Sequence, residues 1–154
     1  MFRQPSIMTQ LSGLLTPIIA LIALWIAYRQ FKIQEYKVRL DLYERRLKIY
    51  GAIMKFLGGI SKKGDSSWEE VLEFLENTNE AKFLFKGEMK EHLDSIYKHA
   101  TELQYLKRDL NDRDFPIGDE RTECGRQIGA HYSWFKNQYK KTEDLFLKYI
   151  RLDR

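Results

Sequence analysis

"IQEYKVRLDLYERRLKIYGAIMKFL", residues 33–57, is the stretch that decides the fold class. Ile33, Tyr36, Leu40, Tyr43, Leu47, Tyr50, Met54 and Leu57 recur at alternating steps of three and four, the period of one helix face; a half-buried strand would alternate every second residue. No proline enters between Ile18 and Leu57, and the first glycine after Gly13 is Gly51. Leu42, Ile49 and Phe56 form a second stripe beside the first. The apolar face is therefore wider than a two-stranded seam and fits a helix packed against several others. Gly58-Gly59 is the expected end of this helix.

Toward the N-terminus the same helix runs into a segment without charge. From Gln4 to Tyr28 there is no Asp, Glu, Lys or Arg, and Leu11 to Tyr28 is almost continuously apolar. Those eighteen residues would cover about 27 Å as a helix, close to the roughly 30 Å hydrocarbon core of a bilayer. The expected organisation is a short segment 1–10, a transmembrane helix 11–28 and a stalk helix 29–58. A cleaved signal peptide fits less well, because Arg3 is the whole n-region and Leu24-Trp25-Ile26 is bulky where small residues should precede cleavage. Trp25 and Tyr28 stand where interfacial aromatics belong. Only Arg3 precedes the apolar run, whereas Arg29, Lys32, Lys37, Arg39, Arg45, Arg46 and Lys48 follow it, so the positive-inside rule puts the C-terminal part in the cytoplasm. One cysteine, Cys124, excludes an intrachain disulfide and suits a reducing compartment.

The net charge of +4 conceals a division along the chain. Residues 29–63 hold ten basic and three acidic side chains, residues 64–123 eight and sixteen, and residues 124–154 seven and three. A basic zone beside an apolar run favours anionic lipid headgroups. Direct nucleic-acid binding is not expected, since it would want the basic residues on the distal domain, most of which is acidic.

Residues 66–154 read as a helical bundle. Ser67 with Glu70 is a capping box that opens a helix with Trp68, Val71, Leu72 and Leu75 inward, and "ENTNE" breaks or bends the chain. A further helix is expected from about Gly87 to Leu110, with Met89, Leu93, Ile96, Ala100 and Leu103 on one face. After the turn "NDRDFPIGD" the last helix runs from about Asp119 to Leu152, using Cys124, Ile128, His131, Phe135, Tyr139, Phe146 and Tyr149. No segment shows strand alternation. The fold class is all-α.

Common catalytic and cofactor motifs are missing: no glycine-rich phosphate loop, no H-E-x-x-H, no C-x-x-C and no G-x-S-x-G, so neither a cofactor nor a metal is expected. His92 and His99 lie about 10.5 Å apart along one helix, too far to clasp one ion, and are expected at the boundary of their helix. Arg126 and His131 offer a cation for a scissile phosphate and an imidazole to move protons, the residue types that metal-independent RNA cleavage needs. Five residues apart on a helix, however, they diverge by about 140°. Within one chain they should not converge, and His131 should fill the apolar face while Arg126 stays at the surface or an interface. In the apolar run Thr9, Gly13, Thr16, Ala20, Ala23, Ala27 and Gln30, with Ser12 beside them, form a small, weakly polar stripe opposite Leu15, Ile18, Ile19, Ile22 and Ile26. Such a stripe either packs helices closely or, in a ring of subunits, lines a pore.

Arg126-Gln127 with His131 resembles the R-x4-H signature of the HEPN ribonucleases, which pair two such motifs across a dimer. "KVRLDLYERRLKIY", residues 37–50, looks like the stalk that follows the single span in many small bacterial membrane proteins. Together with RQIGAH in the last helix, the chain resembles the small HEPN-like transmembrane accessory proteins of type VI-B CRISPR systems. The resemblance implies a small HEPN-like bundle, a homo-oligomeric ring in the bacterial inner membrane and a pore acting in antiviral defence beside an RNA-guided nuclease. It also implies that Arg126 and His131 are a degenerate catalytic pair. The alternatives are a membrane-tethered HEPN-type ribonuclease and a non-enzymatic membrane scaffold.

Overall fold

The computed structural model describes residues 7–150, and side chains for residues 17–149. All five elements among the described residues are helices: α1 (Ile7–Lys63), α2 (Trp68–Thr78), α3 (Ala81–Leu84), α4 (Gly87–Asn111) and α5 (Asp119–Ile150). The all-α expectation holds. The chain divides into two compact units, residues 1–41 and 42–154, with α1 contributing to both.

In the first unit, described from Ile7 onward, α1 is the element, and its side chains described from Pro17 on are exposed, Glu35 alone among them being half-buried. Among the described residues no helix is long and apolar enough to cross a membrane. Of the expected span 11–28, the side chains of residues 11–16 lie outside the described ones. The remaining twelve residues to Tyr28 cover about 18 Å as a helix, and Arg29 and Lys32 follow directly.

In the second unit α1 reaches Lys63, past the expected stop at 58. Gly58 and Gly59 stay helical because Leu57 and Ile60, at 0 % and 1 % exposure, carry the helix into the core on both sides of them. Burial of that size outweighs the roughly 1 kcal/mol that a helical glycine costs. The reversal comes at Gly64, whose φ of +66° lets its N–H reach the Ile60 carbonyl at 2.8 Å. Tyr132 of α5 and Lys107 of α4 both donate to the Gly64 carbonyl and tie this turn to the bundle.

The buried stripe of α1 is Ile49, Ile53, Phe56, Leu57 and Ile60. It draws on both stripes of the sequence pattern: Ile49 and Phe56 come from the second and Leu57 from the first, while Leu42 of the second and Ile33, Tyr36, Leu40 and Leu47 of the first are exposed, and Tyr50 and Met54 flank the core. α2 opens with the capping box: the Glu70 N–H donates to Ser67 Oγ and the Ser67 N–H to the Glu70 carboxylate. Its inward face is Val71, Phe74 and Thr78. Trp68, Leu72 and Leu75 are exposed, because Phe74 stacks on Phe56 at 4.5 Å and sets the helix rotation. The bend at "ENTNE" leads into α3, which the sequence pattern did not mark. α4 buries the five residues expected of it and adds His92. α5 buries Cys124, Ile128, Phe135 and Phe146, with Gln138, Thr142 and Leu145 completing the face.

Arg46 belongs to the basic zone after the apolar run, yet its work is internal. Its guanidinium donates to the carbonyls of Leu84 at 3.2 Å and Tyr149 at 2.8 Å and lies over the Phe85 and Tyr149 rings. That one side chain joins α1, the end of α3 and α5.

Candidate functional site

On α4 the core stripe runs Ile96, Ala100, Leu103, and His99 sits one turn after Ile96 at the edge of that stripe, with Glu102 one turn further on. On α5 His131 sits between Ile128 and Phe135, again at the edge of the buried face. Packing of the two helices brings these edges together. The Nδ1 atoms of His99 and His131 are 2.9 Å apart, so one ring donates and the other accepts. The Trp134 indole stacks on the His99 ring at 3.7 Å with 19° between planes and fixes its orientation. Glu102 Oε2 is 4.0 Å from His131 Nε2. One donor atom from each of His99, Glu102 and His131 lies within 4.8 Å of the others, so these residues could hold a metal ion. They line an open cleft of about 620 Å³ with Tyr105, Leu106, Gln127, Ala130 and Trp134.

Burial, and then the neighbouring His131, hold the His99 imidazole below its ordinary pKa, so the His99 ring favours its neutral form. The third histidine has a different surrounding. His92, expected at the helix boundary, is 1 % exposed, and its Nε2 is 2.8 Å from Thr142 Oγ1. Thr142 spends its own proton on the Gln138 carbonyl at 2.7 Å, so the imidazole must be the Nε2–H tautomer donating to the hydroxyl. His92 Nδ1 is then a buried lone pair without a partner. Burial pushes the His92 pKa down to about 4, helped by the charge of Lys141.

The two residues of the R-x4-H pair part company. Arg126 is solvent-exposed, and its guanidinium forks onto Glu123, Nε to Oε2 at 2.8 Å and Nη2 to Oε1 at 2.6 Å. The Arg126 fork, joined by Gln127 donating to the same carboxylate at 3.0 Å, holds the Glu123 pKa down at about 2. His131 faces the cleft, whose lining does not include Arg126. The divergence expected from helix geometry is what one chain shows.

The apolar-run stripe is described in part. Ala20, Ala23, Ala27 and Gln30 are exposed on α1, while Thr9, Ser12, Gly13 and Thr16 lie outside the residues whose side chains are described. Sequence reasoning missed His99 and Glu102 as neighbours of His131. Their i, i+3 spacing on one helix was a weak signal, and the third member lies 29 positions beyond Glu102. Among known proteins no family model, no curated protein and no solved structure matches the chain.

Proposed function

We propose that this chain is a non-enzymatic membrane protein that assembles with copies of itself through α1, into a pore of the kind its resemblance to CRISPR-associated accessory proteins implies. The observation that carries the reading is the exposed apolar surface of α1. Thirteen large apolar side chains between Ile18 and Leu40 are 40–68 % exposed. Apolar surface of that extent marks a contact with lipid or protein. Its two halves call for different solvents. Ile18 to Tyr28 carries apolar residues all round and no charge, which fits hydrocarbon. Phe31 to Leu40 sets Ile33, Tyr36 and Leu40 on one face and the ion-paired Lys32, Glu35 and Arg39 among them, which fits a second helix in water. The orientation is the one that flanking charge favours, with the second unit in the cytoplasm of a bacterial cell.

The ribonuclease alternative lacks comparable support, since the Arg126 guanidinium is engaged by Glu123 and stands outside the cleft that holds His131. The reading is tested by reconstituting the full chain in lipid nanodiscs and vesicles, with Cys124 replaced by serine and single cysteines placed at Ile33, Leu40 or Lys37. Expected are a homo-oligomer by light scattering, disulfide crosslinks at Ile33→Cys and Leu40→Cys but weak ones at Lys37→Cys, and release of a trapped dye. A monomer at micromolar concentration that ignores bilayers would overturn it.

A further inference from the structure

We propose that His99, Glu102 and His131 form a binding site for a divalent transition-metal ion, zinc being the natural probe, that ties α4 to α5 and opens onto the cleft beside them. The donors are already gathered. One donor atom from each residue lies within 4.8 Å of the others; the His99 and His131 Nδ1 atoms are 2.9 Å apart, and the Glu102 carboxylate stands 4.0 Å from Nε2 of His131. Two nitrogens on one tetrahedral ion stand about 3.3 Å apart at metal–nitrogen distances of about 2.0–2.1 Å, so the rings need to part by only about 0.4 Å. A neutral imidazole can exchange its tautomer, which lets both inward nitrogens present a lone pair together.

Two imidazoles and one carboxylate together carry the single negative charge that suits a dication. Trp134 stacks on the His99 ring and holds it in the orientation that faces His131, so little ordering is left for the ion to impose. Glu102 is half-exposed and free of any ion pair short enough to hold it, its approaches to His131 and Lys98 being 4.0 Å and 3.9 Å. Two imidazoles and one carboxylate select zinc, cobalt, nickel or copper over magnesium or calcium, which want oxygen ligands. With three protein ligands and a cleft open to solvent, a fourth position is left for water or an external anion. This inference stands apart from the membrane reading, because all three residues belong to the second unit.

The test uses the full-length, tag-free chain after chelator treatment, titrated with Zn2+ by calorimetry and with Co2+ by visible absorption. One equivalent should bind, with the d–d bands of a nitrogen- and oxygen-ligated cobalt and without a thiolate charge-transfer band. Cys124→Ser should bind equally. His99→Ala and His131→Ala should abolish binding, and Glu102→Gln should weaken it by at least the roughly tenfold that even an outer-shell partner costs. Affinity should fall as the medium is acidified and protons compete for the rings. Glu102 is surface-accessible, so its variant keeps the test decisive should a histidine variant unfold. Absence of stoichiometric binding, unchanged affinity in Glu102→Gln, or loss of binding in Cys124→Ser would each overturn the proposal.

Discussion

Acidification should weaken the bundle through His92 in particular, and replacing that side chain should remove the effect. In the folded chain its pKa is depressed from the ordinary 6.5 to about 4, because the ring is buried and Nδ1 has no acceptor to receive a new N–H. The unfolded chain takes up a proton near pH 6.5, the folded chain only near pH 4. Between those values the unfolded state binds more protons, so stability is full above the unfolded pKa and declines as pH falls. The slope approaches about 1.4 kcal/mol per pH unit, and from about pH 7.5 to about pH 5 the accumulated loss is about 2 kcal/mol. His92→Leu puts an apolar side chain of similar size in the same place, and Thr142 keeps its bond to the Gln138 carbonyl. At neutral pH that variant should fall within about 1 kcal/mol of the parent, since a group with an unpartnered buried atom is exchanged for one without. Near pH 5 it should be more stable than the parent by about 1–2 kcal/mol. Urea unfolding of the full chain in a mild detergent, followed by far-ultraviolet circular dichroism at both pH values, measures the difference. His99, also depressed by burial, leaves a residual slope in both proteins. An identical loss of stability in parent and variant would refute the assignment to His92.

Gly64→Ala should cost about 1–2 kcal/mol, because its φ of +66° is hostile to a Cβ and the added atom would stand 3.1 Å from the Tyr132 hydroxyl; thermal unfolding would register it as a lower midpoint. Arg126→Ala removes a solvent-screened ion pair and should leave the thermal unfolding midpoint essentially unchanged, with oligomer size unchanged by light scattering. The same protein incubated with single-stranded RNA and a chelator should leave the RNA intact in parent and variant alike. Cleavage by the parent that vanishes in both Arg126→Ala and His131→Ala would restore the ribonuclease alternative.

The sequence by itself determined the helical class and most of the helix boundaries, because both are local. Periodicity at 3.6 residues, the Ser67–Glu70 cap and the "NDRDFPIGD" turn act over a few neighbours, and α2, α4 and α5 begin where those signals place them. The five inward residues of α4 were equally legible. What sequence could not decide was the rotation of α1 and α2 about their axes and the partner that each helix meets. α1 offered two apolar stripes, and contact with α2 and α5 buried Ile49 and Phe56 from one and Leu57 from the other, with Ile53 and Ile60 between them, while Leu42 and Leu47 stay exposed. Gly58-Gly59 looked like a stop until burial of Leu57 and Ile60 carried the helix to Gly64. The histidines were settled the same way. Within one helix His92 and His99 are two boundary residues seven positions apart, but the neighbouring helix gave Thr142 to the first and His131 to the second. A side chain's chemistry depends on what lies within about 4 Å of it, and for these residues that neighbour comes from 32 and 50 positions away in the chain.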